Sequence, residues 1–138
     1  MSQVENLKVI QKSGFCDDEI SPFAIVEIQN LKLRTIIGFN DWERKNKQDV
    51  MINIKAGFDS GNSTKSDDVA DTVDYKIITK KVIKAVEESD FNLLEKLTQM
   101  VLDIVMENPR IAWASVKIDK PFALRFTDSV SIELKSKR

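Results

Sequence analysis

Apolar and polar positions along this chain follow two different rhythms. From Phe23 onward Val26 and Ile28, then Leu31 and Leu33, stand against Glu27, Lys32 and Arg34. A second run sets Val50, Ile52, Ile54 and Phe58 against Met51, Asn53 and Lys55. A period of two marks a half-buried strand, so two long strands joined as a hairpin are predicted. The phase slips by one residue between Ile28 and Leu31, which predicts a bulge near Gln29-Asn30. The charged segment NDWERKNK between the runs reads as a loop carrying an exposed Trp42.

After the polar, turn-rich segment DSGNSTKSDDVADTVDY the spacing becomes helical. Between Tyr75 and Glu88, Ile78, Val82 and Val86 fall on one stripe with Lys76, Lys80, Lys81 and Lys84 largely outside it. Ser89-Asp90 ends that helix. A second helix is predicted over Leu93–Glu107, with Leu94, Leu97, Val101, Ile104 and Val105 in register, Asn92 as its N-cap and Pro109 just beyond its end. Alternation returns at WASVKID (113–119) and DSVSIEL (128–134).

The order strand, strand, helix, helix, strand, strand predicts an α+β domain over 23–138, with a four-stranded antiparallel sheet and two helices on one face. Residues 1–22 read as an N-terminal extension, expected to be mobile or loosely packed. Such a sheet has two open edges, which invite pairing with another chain. Closure of several subunits into a ring satisfies both edges, so a homo-oligomer is expected.

Composition narrows the chemistry. With 138 residues the chain suits one domain, and 42% hydrophobic with 31% charged residues is ordinary for a globular protein. A net charge of −1 argues against binding nucleic acid through electrostatics. The basic residues Lys135, Lys137 and Arg138 read as a solubilising tail. There is no histidine and a single cysteine, Cys16, so histidine-based nucleophilic machinery, a His-ligated zinc and an intrachain disulfide are all excluded. No run approaches the ~20 apolar residues of a membrane span, and the N-terminus lacks the apolar stretch of a signal peptide. A cytoplasmic location is expected.

Three places carry candidate chemistry. Lys120, in Asp119-Lys120-Pro121, follows an apolar strand; it reads either as a turn lysine or as an acid–base group whose pKa burial could tune. Glu95, in NLLEKLTQ, lies about 100° from Leu94 on the helical wheel, at the border of the apolar stripe. There it is either a solvated flank glutamate or a carboxylate able to accept two adjacent N–H groups from a heterocycle. Asp41-Trp42-Glu43, with Tyr75, marks either a binding surface or a packing anchor.

Together these segments resemble a known family. IGFNDWERKNKQDVMINI, SDDVADTVDYKIITKKV, FNLLEKLTQMVLDI and VKIDKPFALRFTDSVSIEL are similar, in order and over about residues 24–138, to the successive motifs of dihydroneopterin aldolases. LKLRTIIGF, LLEKLTQMVLDI and IDKPFALRFTDSVSIEL resemble the epimerase branch, which acts on dihydroneopterin triphosphate. DWER and SDDVADTVDY are closer to the aldolase branch.

The resemblance implies a tunnelling fold in which four subunits close a barrel and two rings stack as an octamer, with active sites between subunits and neither cofactor nor metal. It assigns Lys120 as the main acid–base group and Glu43 as its neighbour beside the reacting side chain. Glu95 would anchor the pterin ring with backbone near Leu94. Tyr75, with backbone around Val73, would reach the substrate from the adjoining subunit. The implied activity is 2′-epimerisation of dihydroneopterin triphosphate, or alternatively release of glycolaldehyde and 6-hydroxymethyl-7,8-dihydropterin. A ring-forming scaffold without catalysis is the rival of a different class. Arg34, Arg44, Lys45, Lys47 and Arg125 are the candidate cations for a triphosphate.

Overall fold

The structure, a computed structural model, describes residues 22–138. The expected extension, with Cys16, lies outside the described residues apart from Pro22. In chain order the elements are β1 (Phe23–Ile37), α1 (Asp41–Lys45), β2 (Gln48–Asp59), α2 (Ser63–Ser66), a 3-10 turn (Val69–Asp71), α3 (Tyr75–Glu87), β3 (Asp90–Phe91), α4 (Leu94–Met106), β4 (Ile111–Pro121) and β5 (Ser129–Lys137). The sheet order is β3-β1-β2-β4-β5.

The four long strands are antiparallel neighbours, as their alternation predicts. A fifth strand corrects that count: two-residue β3 pairs parallel to the end of β1, Ile36 opposite Asp90 and Ile37 opposite Phe91. Two residues carry no readable period, so only the structure shows it. The expected loop NDWERKNK likewise contains a single helical turn, α1, started by Asn40, whose side-chain oxygen accepts from Glu43 N–H at 2.9 Å.

The β1–β2 register shifts between Ile28 and Leu31, where the bulge was predicted. Asn30 sits there at φ 54°, and its N–H donates to Asn53 Oδ1 at 2.9 Å. Asparagine tolerates this left-handed backbone far better than a branched residue. The bulge returns Leu31 and Leu33 to the face already holding Val26 and Ile28, so both halves of β1 pack on the core.

Helices α3 and α4 cover that face. Ile78, Val82 and Val86 of α3, and Leu97, Val101, Leu102 and Val105 of α4, are buried against Val50, Ile52, Ile54, Ala114, Val116 and Ile118. Asp74 caps α3, accepting from Lys76 N–H at 3.0 Å. The predicted cap of α4 is displaced: Leu93, not Asn92, holds the N-cap position, and no side chain caps it. The sheet's other face carries ion pairs, Glu27 and Lys55 3.6 Å apart and Arg34 and Asp49 3.7 Å apart, and at one end the exposed Phe23 and Ile25.

The expected basic tail is also corrected. Lys135 and Lys137 belong to β5. The Arg138 guanidinium donates to the carbonyls of Met106, Asn108 and Ile111, closing the C-terminal end of α4. Among the described residues no helix is long and apolar enough to cross a membrane.

Replacing Asn30 by Val should cost about 1–2 kcal/mol, whereas Asn30→Gly should be near neutral. Urea unfolding midpoints of the two variants check this; equal losses would show that the left-handed backbone is not what the position selects.

Candidate active site

Four chain segments converge on one end of the sheet. β1 ends there, β2 begins there, and the register that sets Met51 opposite Asp119 brings the end of β4 to the same place. Because β3 pairs with the last residues of β1, α4 also begins there. The result is a cavity of about 310 Å³ whose walls include Ile37, Phe39, Leu93, Leu94, Leu124 and Val130, with Glu43, Glu95 and Lys120 as its charged groups. That volume is at the lower end for small-molecule sites, and the mostly apolar lining with few polar groups is their usual composition.

Lys120 and Glu43 form an ion pair across this cavity. Their side chains are only 13% and 14% exposed, so the pair is largely withdrawn from water. The phase of β4 explains why the lysine points inward. Ala114, Val116 and Ile118 face the core, and Lys120 continues the same alternation at the strand's end. Glu43 is aimed from α1. Gln48 Nε2 donates to its Oε2 at 3.1 Å and to the Ile37 carbonyl at 2.8 Å.

Beneath it, the Arg44 guanidinium donates to the carbonyls of Gly38 (3.1 Å), Phe91 (3.2 Å) and Asp90 (2.7 Å), tying α1 to β3. Gly38 has φ 121°, and a Cβ on it would strike the Glu43 carboxylate. The close approach of that carboxylate to the backbone therefore requires glycine.

Burial pushes the Glu43 carboxyl up. Hydrogen bonds from Lys120 and Gln48, the Lys120 charge and the bond with Asn40 outweigh it and hold the group below the ordinary carboxylate value. Glu43 thus faces the Lys120 amino group as a carboxylate, a proton acceptor in an apolar setting.

Glu95 is exposed in the first turn of α4, on the wall shared with Leu94. Its carboxylate and the uncapped backbone N–H groups of that turn present acceptors and donors side by side.

The structure therefore joins four of the sequence-predicted residues, Glu43, Glu95, Leu94 and Lys120. It leaves Tyr75 and Val73 elsewhere in the same chain, beside a separate hollow with Val69, Thr72, Asp74 and Lys76. The Tyr75 side chain is exposed, while Val73 is buried.

Sequence reasoning missed Gln48 and the clamp made by Arg44. A signal for Gln48 existed: it shares its strand phase with Val50, Ile52 and Ile54, and is thus a polar residue on the apolar face. Arg44 gave no such signal, because its partners are backbone carbonyls.

The lowered Glu43 pKa has a pH consequence with a definite sign. Its ionised form adds stability above the unfolded value near 4.5, and that contribution is lost as pH falls through the lower folded value. Wild type should therefore exceed Glu43→Gln by about 1–3 kcal/mol at neutral pH, with the gap shrinking in acid. Urea unfolding at a series of pH values measures it, and a gap that widens toward acid contradicts the assignment.

Known proteins match this chain over nearly all of the described domain. The model of the FolB dihydroneopterin aldolase family matches residues 26–135. A dihydroneopterin triphosphate 2′-epimerase from Pseudomonas aeruginosa is 45% identical over 115 residues, 83% of this chain and 94% of that protein. A dihydroneopterin aldolase from Escherichia coli (strain K12) is 32% identical over 108 residues, 78% of this chain and 88% of that protein. The solved structure of E. coli dihydroneopterin aldolase in complex with neopterin superposes with a TM-score of 0.78 at 31% identity, covering 82% of this chain and 98% of that one. With the family model matched across the domain and the fold shared with a member's solved structure, this chain belongs to the FolB dihydroneopterin aldolase family.

Proposed function

We propose that this chain epimerises dihydroneopterin triphosphate at its 2′ carbon through a retro-aldol and aldol cycle. The observation that carries the proposal is the Lys120–Glu43 pair, withdrawn from water in the cavity that also holds Glu95. The 45% identity to a 2′-epimerase directs the choice of substrate.

The pterin ring offers an N–H and an amino group side by side, which the Glu95 carboxylate accepts together. This orientation sends the C6 side chain toward Lys120 and Glu43. Removal of the 2′-hydroxyl proton by the pair lets the C1′–C2′ bond break, and its electrons pass into the C6=N5 imine. The dihydropterin is its own electron sink. The protein supplies proton transfers, typically worth about 10²–10⁴-fold, and positioning.

Re-attack of C1′ on the opposite face of the aldehyde, with the proton returned to its oxygen, gives the 2′-epimer. The pair then ends in its starting protonation state. If the aldehyde leaves and C1′ is protonated instead, the same residues perform the aldolase reaction. That second reading is favoured by the likeness to the E. coli aldolase structure bound to neopterin. Chromatography of products from dihydroneopterin and its triphosphate separates the two. Rapid 2′-epimer formation from the triphosphate supports the epimerase; dominant 6-hydroxymethyl-7,8-dihydropterin from dihydroneopterin supports the aldolase. Neither product from either substrate overturns both and revives the scaffold.

The reading extends to assembly. Phe39, Trp42, Leu93, Phe122, Leu124 and Phe126 stay exposed, a large apolar surface for a single chain. The outer edge of β5 has no strand partner among the described residues. A homo-octamer of two stacked rings covers both, and places Tyr75 and the backbone at Val73 of one subunit against the cavity of the next.

Lys120→Ala should lose at least about 100-fold in turnover while the assembly and its thermal unfolding are kept. Unchanged turnover would remove Lys120 from the mechanism. Oligomers mixed from Lys120→Ala and Tyr75→Ala chains should regain activity that neither parent shows, because some interfaces then hold both native residues. An inactive mixture of confirmed mixed composition would place Tyr75 outside the site.

A further inference from the structure

Resting on the epimerase reading, we infer that Arg125 holds the substrate's phosphates and so retains the cleaved aldehyde for re-addition. The electrostatics of the cavity raise the question. Its charged walls are two carboxylates, Glu43 and Glu95, against one lysine, and that lysine is already engaged by Glu43. This chain's own cavity wall therefore offers a triphosphate no free cation. The phosphates must leave the cavity past Lys120, the residue that acts on the side chain.

The chain immediately beyond Lys120 is the turn between β4 and β5. It is closed by Phe122 N–H donating to the Asp128 carbonyl at 3.0 Å, and by Thr127 Oγ1 donating to the Leu124 carbonyl at 3.1 Å. Ala123 and Leu124 of this turn form cavity wall, and Arg125 follows them directly. Its guanidinium lies 5.3 Å from the centroid of the Phe126 ring, and among the described residues no carboxylate pairs with it.

Two other arginines near this end are committed, and Lys45, Lys47 and Lys96 lie outside the cavity wall. Arg44 is held by the carbonyls of Gly38, Asp90 and Phe91. Arg34 is held on the polar sheet face by Asp49 and the Lys47 carbonyl. Lys45 and Lys47, like Arg125, form no cavity wall themselves, but they are exposed at and beyond the end of α1, whereas Arg125 directly follows the wall residue Leu124.

The chemical consequence is a partition. When C1′–C2′ breaks, the electrons enter the pterin and the 2′-oxygen becomes an aldehyde on the fragment that carries the triphosphate. No covalent bond then joins that fragment to the pterin. A guanidinium bound to its phosphates keeps it beside C1′, free to turn its carbonyl over and be attacked again. Without the guanidinium the fragment escapes, C1′ takes a proton, and 6-hydroxymethyl-7,8-dihydropterin results.

The test is the ratio of 2′-epimer to 6-hydroxymethyl-7,8-dihydropterin formed from dihydroneopterin triphosphate, a quantity that partial unfolding does not move. Arg125→Ala should lower this ratio by about 10–100-fold, with Arg125→Lys recovering part of it. Inorganic triphosphate should also inhibit wild type at least about tenfold better than Arg125→Ala. A ratio unchanged in Arg125→Ala, or a fall seen instead in Lys45→Ala or Lys47→Ala, overturns the inference alone. Wild-type protein that forms neither product overturns the epimerase reading and this inference with it.

Discussion

Lys120 and Glu43 are 77 residues apart in the chain, and their ion pair forms only because the sheet order places the end of β4 beside the start of β2. An ammonium and a carboxylate out of water are tolerable only in contact and with their remaining hydrogen-bonding positions served. Much of the local structure answers that demand. Gln48 and Asn40 fix Glu43, glycine at position 38 makes room for its carboxylate, and Arg44 anchors the short helix that carries it. The chemistry inherits its geometry from this arrangement, since the same contacts that make the pair stable also aim it into the cavity.

Division of labour between the sheet faces follows from strand phase. The core face carries an unbroken run of apolar residues through β2 and β4. Polarity enters it only at the ends, with Gln48 and Lys120. A polar residue at the end of an apolar row can reach past the core into a cleft while the row behind it holds the strand in register. Glu95 follows the same rule on a helix, standing in the first turn of α4 while Leu97, Val101 and Leu102 bury the turns behind it.

This rule also explains how much was legible beforehand. The long strands, both major helices and the bulge at Gln29-Asn30 could be read from periodicity, because each element runs long enough for a phase to declare itself. β3 and α1 could not: two and five residues give no period, and what forms them is pairing with the end of β1 and the cap at Asn40. Leu93 displaced Asn92 as the cap of α4, a boundary that sequence places only loosely. Of the site, Lys120, Glu43 and Glu95 were found through their motifs. Gln48 is legible only as a polar break in strand phase, and the hydrogen bonds of Arg44 go to backbone carbonyls, which leaves no trace in side-chain pattern. Arg138 looked like a charged tail for the same reason.

Arg138 sits at the end of the sheet opposite the cavity. It gathers the carbonyls that close α4, while Arg110 donates to the Ala70 carbonyl at 2.8 Å. The two ends of the molecule are thus specialised, one for reactivity and one for fastening loose backbone. Variation at the fastening end can adjust how long the protein survives heat, and because Arg110 holds Ala70 close to Val73 and Tyr75 it also bears on how one subunit meets the next. Variation at the cavity mouth, on turns that close by their own hydrogen bonds, can change the product without loosening the frame. A fold arranged in this way gives an evolving lineage, or an engineer, two dials that are linked through assembly.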